Sequence, residues 1–270
     1  MTQIFNFRRF GRFLCWDFVQ NIRSYTRLTG GLSIALCILS AVAVLYFYED
    51  LRAAQDYYLT GHMVTLGGGC LSVVLLIHVV WASYTFAPQK TKQRYINFMM
   101  QPSTTLEKYV GRLLSIGIVS LLSGVIAVVV ADLLHAVLCL VFVHRPIGSI
   151  TLYFFDAASK LLDGRSSSPA LIMFCVGAWL YLYSTYVLGS ALFNRSPMLW
   201  TTLVDFAIWI VIVPAVLLIN TPYLLDAILD SVDIPGAMNA VVWTLFVLNH
   251  VLAYLIFKRR QVICHGLISI

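Results

Sequence analysis

Charge is what this chain has least of. Only 11% of its 270 residues are Asp, Glu, Lys or Arg, whereas a soluble domain carries about 25%. That deficit excludes an ordinary water-soluble globule, and it leaves no segment polar enough for a separate soluble module. Catalytic motifs are missing as well. There is no His-Glu-x-x-His, no Gly-x-Ser-x-Gly and no phosphate-cradling Gly-Lys-Ser/Thr loop, so the chain is read as not an enzyme and as holding no nucleotide of its own. The six cysteines (Cys15, Cys37, Cys70, Cys139, Cys175 and Cys264) show no Cys-x-x-Cys spacing. Most lie in apolar runs, where a thiol behaves as a small hydrophobe; neither a disulfide framework nor a metal site is expected. No cleavable signal peptide is evident either, so the first apolar run is read as a retained helix.

Long apolar runs are what the chain does have. A bilayer-spanning helix needs about 20 mostly apolar residues. Six stretches qualify, near 31–48, 63–86, 109–143, 170–193, 198–219 and 238–257. The expected fold is therefore an all-α integral membrane protein with six transmembrane helices. The third stretch exceeds a bilayer core at 1.5 Å per residue and must tilt, protrude or break. Gly67, Gly68 and Gly69 sit inside the second, where small residues are expected to permit close helix packing.

Residues 1–28 precede the first span. Phe7, Phe10, Leu14, Phe18 and Ile22 recur at helical spacing opposite Arg9, Arg12 and Gln20, with Phe13 and Trp16 off the stripe. This pattern suits an amphipathic helix lying in the membrane interface. The spans then occupy 29–260, followed by a tail over 261–270. Of the 18 basic residues, 14 fall in residues 1–29, 88–112, the turn at Arg195 and the stretch Lys258–Arg260. The loops on the opposite side carry eight of the twelve acids. By the positive-inside rule both termini, the 88–108 segment and the 194–197 turn are expected in the cytoplasm. The net charge of +6 is read as this topology signal, not as a nucleic-acid footprint. The opposite side holds the 145–168 segment and the 220–238 segment. The latter sets Asp226, Asp230 and Asp233 among leucines and isoleucines, as a short outer-leaflet helix or a re-entrant one.

Polar groups within apolar spans are the first candidates for function. His78, Asp132, His135, Asp205 and His250 are the intramembrane candidates, with Asp132 and His135 on one helix face at i, i+3. They suit either a proton path or partly hydrated positions near the span ends, and the second reading is preferred. A metal site would need more ligands than any one neighbourhood offers.

The 84–112 segment is the richest in information. Lys90, Lys92 and Arg94 are followed by an apolar cluster around Ile96, Phe98 and Met99, and then by Pro102-Ser103-Thr104-Thr105-Leu106-Glu107-Lys108. A hydroxyl at Ser103 or Thr104 with Glu107 downstream is a helix-start signature. The apolar cluster offers a surface to a partner. This stretch resembles the segment before the third helix in a group of short bacterial ABC-2 type permease-like proteins. There a Ser-Phe-like pair and a basic stretch lead into a Leu-Pro-Ala-Ser-x-x-Glu-Lys-type motif. The matching residues are Ser83-Tyr84, Lys90 to Arg94 and Met100 to Lys108, with departures at Gln101 and Thr104. Leu188-Gly189-Ser190-Ala191-Leu192-Phe193 supplies a second echo.

The resemblance implies the transmembrane subunit of an ATP-driven exporter in the bacterial inner membrane. That subunit would form a homodimer or pair with a similar permease, and it would engage separate cytoplasmic ATPase subunits that bind ATP and magnesium. It also makes residues 1–28 an elbow helix. The 88–108 segment becomes the ATPase-coupling site, with Lys90, Lys92, Arg94, Phe98, Met99, Pro102, Ser103, Glu107 and Lys108 as its residues. Cargo is not specified; lipidic or amphipathic molecules are compatible with it. Two other functions stand beside this one. One is a non-transporting scaffold or sensor, suggested by the shortage of polar residues along any helix face. The other is an intramembrane lipid-modifying enzyme using Asp132, His135 or His250.

Overall fold

A computed structural model describes residues 5–53, 56–86, 96–98, 100–144, 148–152, 169–193, 195–219 and 234–262. Among them there is no β-strand. The helices are α1 (Phe7–Tyr46), α2 (Tyr48–Ala53), α3 (Asp56–Ala82), α4 (Thr105–Leu138), α5 (Pro169–Leu192), α6 (Pro197–Ile219) and α7 (Ile234–Val262). A π-helical turn, Cys139–Val143, extends α4 and ends at His144 with φ 57°. Punctuation follows proline: α5 and α6 each begin on one, where its missing N–H costs nothing.

Five stretches are long and apolar enough to cross a membrane: Phe7–Tyr46, Gly61–Ala82, Thr105–Val143, Ile172–Leu192 and Met238–Arg259. The sixth expected span is helix α6, for which side chains are described as far as Ile210. The apolar character runs around the helices instead of lying on one stripe. On α1, Leu32, Leu36 and Val44 are buried, while Ile34, Ile38, Val42 and Leu45 on other faces are exposed. A helix that is hydrophobic all round belongs in lipid. This is a membrane-embedded, all-α protein.

One expectation about helix boundaries changes. The amphipathic N-terminal segment and the first span are one unbroken helix, α1, of 40 residues, about 60 Å at 1.5 Å per residue. Gly30 and Gly31 do not interrupt it. Each glycine disfavours helix by about 1 kcal/mol, and the helix formers on both sides outweigh that. The long third stretch does not break, because α4 and its π-turn run continuously over Thr105–Val143.

The chain divides into two compact units, one of Met1–Leu14, Val79–Leu113 and Ser168–Ile270, the other of Cys15–His78 and Leu114–Ser167. In the first, α7 packs on α5 and α5 on α6, and Trp243 closes on Gly177. In the second, Leu32, Leu36, Met63, Leu66, Cys70, Ala127, Ala131 and Ile150 form the core. Close helix approach in that second unit occurs at Gly124. A Cβ on Gly124 would lie 2.5 Å from Val74 Cγ1, whereas one on Gly68 would meet nothing and one on Gly69 only Leu39 at 3.5 Å.

Candidate functional site

The start of α4 is built around one carboxylate. Glu107 is fully buried. It closes a capping box: its backbone N–H donates to Thr104 Oγ1 at 3.2 Å, and its Oε2 accepts from the Thr104 N–H at 2.8 Å. The same carboxylate accepts from Arg9 Nε at 2.8 Å and Arg9 Nη2 at 2.7 Å. The Asn6 N–H supplies a further bond at 2.8 Å. Asn6 itself caps α1, since its Oδ1 accepts from the Arg8 and Arg9 amides. Two helix starts far apart in sequence are thus joined through Glu107. The bidentate guanidinium fork fixes their relative geometry, which a lysine could not do.

Aromatic side chains back this junction. Phe98 meets Phe13 at 5.9 Å and Phe257 at 6.3 Å, and Phe257 stacks on Phe86 at 4.9 Å. Lys108 Nζ lies 5.6 Å from the centre of the Phe98 ring, within cation–π range. Arg112 donates to the Thr85 carbonyl at 3.0 Å. Of the residues expected to couple to an ATPase, Phe98, Glu107 and Lys108 are therefore buried within the chain. Pro102 is exposed and Ser103 half-buried. Lys90, Lys92, Arg94 and Met99 lie outside the described residues. Among the described residues Ile96, Met100 and Leu106 are exposed apolar side chains at this end, and Met100 is 78% exposed.

Each intramembrane polar candidate bonds within its own unit. His78 Nδ1 pairs with Ser120 Oγ at 2.7 Å. Asp132 accepts from the hydroxyls of Ser149 and Thr151 and from the amides of Ile150 and Thr151, so it caps the helical turn that begins at Ile150. Asp205 takes a 3.4 Å bond from Thr185 Oγ1. His250 receives the Tyr109 hydroxyl on its backbone carbonyl at 3.1 Å. His135 meets His62, with Nε2 to Nε2 at 2.9 Å. Asp226, Asp230 and Asp233 lie outside the described residues. Among the described residues no group of three or more His, Cys, Asp or Glu is arranged to hold a metal ion.

Three participants escaped the sequence reading. Arg9 reads only as part of a polar helix face, and Asn6 and His62 are not singled out. Only Asn6 carried a local signal, as an Asx residue ahead of a helix. No family model, no curated protein and no solved structure matches this chain.

Proposed function

We propose that this chain is the transmembrane subunit of an ATP-driven ABC-type exporter of the bacterial inner membrane, with both termini in the cytoplasm. It works as a homodimer or beside a similar permease, and separate ATPase subunits supply the energy. The observation that carries the reading is the junction at Glu107. The motif that resembles the permease group opens a long span, is pinned to the N-terminal helix by Arg9, and leaves Ile96, Met100 and Leu106 exposed beside it. A docking element needs this combination: an anchored base, so that a push is transmitted, and an apolar face for the partner to grip. ATP binding could then shift the subunit between conformations only through partners that prefer one of them.

The scaffold or sensor reading keeps one specific support, since the described intramembrane polar groups bond to partners within their own unit. Gentle purification from the native membrane, followed by mass spectrometry of the accompanying subunits, separates the two readings. The wild type should bring down a stoichiometric ATPase, and Met100→Asp with Leu106→Asp should lose it. An ATPase retained in the variant moves the docking surface elsewhere. No ATPase even after cross-linking rejects the exporter.

A further inference from the structure

His62 on α3 and His135 on α4 are 1% and 0% exposed, and their rings meet edge to edge, inclined by 21° with centroids 5.2 Å apart. Their Nε2 atoms lie 2.9 Å apart. That distance is a hydrogen bond, so one Nε2 carries a proton and the other is bare. A neutral imidazole holds one N–H, which fixes the outer nitrogens too: the donor ring has a bare Nδ1 and the acceptor ring an Nδ1–H. Among the described residues neither Nδ1 meets a partner. Buried polar atoms in such a state are rare and call for an explanation. The pair is bounded by Phe47, edge-on to His62 at 5.2 Å, and by Cys139, whose Sγ lies 3.5 Å from His135 Nε2.

We infer that His62 and His135 form a proton-binding site that takes up one proton as a unit. The proton, drawn from water, bonds to the bare Nδ1 of the donor ring and makes it an imidazolium. Its Nε2–H···Nε2 bond then becomes charge-assisted and tightens. A second proton would have to go to the acceptor's Nε2, setting two N–H groups against each other across 2.9 Å. The pair must separate before that happens, so it stores one charge and resists a second. Release reverses the step.

The surroundings allow a single positive charge. Asp132 sits one turn before His135 on α4, with its carboxylate held by Ser149, Ile150 and Thr151. The other titratable neighbours are the Cys139 thiol on the π-turn and Cys70, buried in the core that flanks His62 on α3. Of the charged residues on α2, Glu49 is exposed; Asp50 and Arg52 belong to the same helix. His144, beyond the π-turn, is exposed. The π-turn places Cys139 against the shared nitrogen, and such turns recur at functional sites.

The test is ¹⁵N spectroscopy of the full-length protein, labelled at its six histidines and reconstituted in lipid bilayers. Signals are assigned by their loss in His62→Gln and His135→Gln. If either variant fails to fold, assignment proceeds by elimination with His78→Gln, His144→Gln, His250→Gln and His265→Gln. On acidification one ring of the pair should become imidazolium while the other stays neutral, with nitrogen–nitrogen coupling through the shared proton persisting across the change. Two outcomes overturn the inference. In one, both rings become imidazolium independently. In the other, neither changes between about pH 4 and pH 9 while an exposed histidine titrates normally.

Discussion

Arg9 and Glu107 are 98 residues apart in sequence and meet through two hydrogen bonds of 2.7 and 2.8 Å. Removing either partner does unequal damage. Without Arg9 the carboxylate stays buried with its strongest donor gone, whereas without Glu107 the half-exposed guanidinium can turn to water. Arg9→Gln should therefore lower the melting temperature in detergent by several degrees. Arg9→Glu should lower it further, and the swap Arg9→Glu with Glu107→Arg should recover part of the loss. A swap no better than Arg9→Glu alone would mean that the Asn6 and Thr104 amides, not the guanidinium, hold the carboxylate.

Glycines should respond to substitution according to their neighbours, not their number. Gly124→Ala puts a Cβ 2.5 Å from Val74 Cγ1 and is expected to cost about 1–3 kcal/mol, as overpacking does. The added change Val74→Ala should restore most of it. Gly30→Ala and Gly31→Ala meet nothing within 4 Å, and each should stabilise α1 by about 1 kcal/mol or less. Thermal unfolding of the four variants in one detergent decides the matter.

Asn249 Nδ2 donates to Ser184 Oγ at 3.0 Å between α7 and α5. Hydrogen bonds between membrane helices contribute modestly, about 0.6 kcal/mol in double-mutant cycles. A cycle of Asn249→Ala and Ser184→Ala should return a coupling of that order. A value several times larger would make this contact, and not the Trp243–Gly177 packing, the main fastening of the two helices.

Asp132 should hold the turn at 150–152 in place. In Asp132→Ala the amides of Ile150 and Thr151 lose their acceptor, and their hydrogen exchange should accelerate at least tenfold while that of mid-α4 amides stays unchanged. Equal acceleration throughout α4 would point to general unfolding instead.

Phe98→Asp should destabilise the protein, because Phe98 is 3% exposed among Phe13, Phe257 and Lys108. Met100→Asp should leave the melting temperature within about 1 °C, as exposed sites generally do. Comparison of the two by thermal shift separates a core position from a surface one in the same short segment.

What could be read from the sequence was what depends on near neighbours. An apolar run declares its span because lipid rewards each residue separately, and Thr104 with Glu107 declares a helix start because both ends of the capping box lie within four residues. The arrangement of the site was not legible on the same terms. Nothing near Glu107 in sequence names Arg9 as its partner, and nothing near His135 names His62, 73 residues earlier. Gly124 is critical only because Val74 faces it, while the more conspicuous Gly68 and Gly69 face little. Phe13, off the amphipathic stripe, is the phenylalanine that α1 buries, and Phe7, Phe18 and Ile22 on the stripe remain exposed. A period identifies an apolar face without saying whether lipid or protein covers it.

The spans differ greatly in length, and the surrounding membrane has to accommodate that. Helix α5, with 24 residues, is about 36 Å long and α3, with 27, about 40 Å, whereas Thr105–Val143, with 39, is about 58 Å. The shorter rods set the thickness the protein matches best; the longer ones lean or stand proud of it. Mismatch costs fractions of a kcal/mol per Å. Lipids with longer acyl chains should therefore strain the shorter spans first.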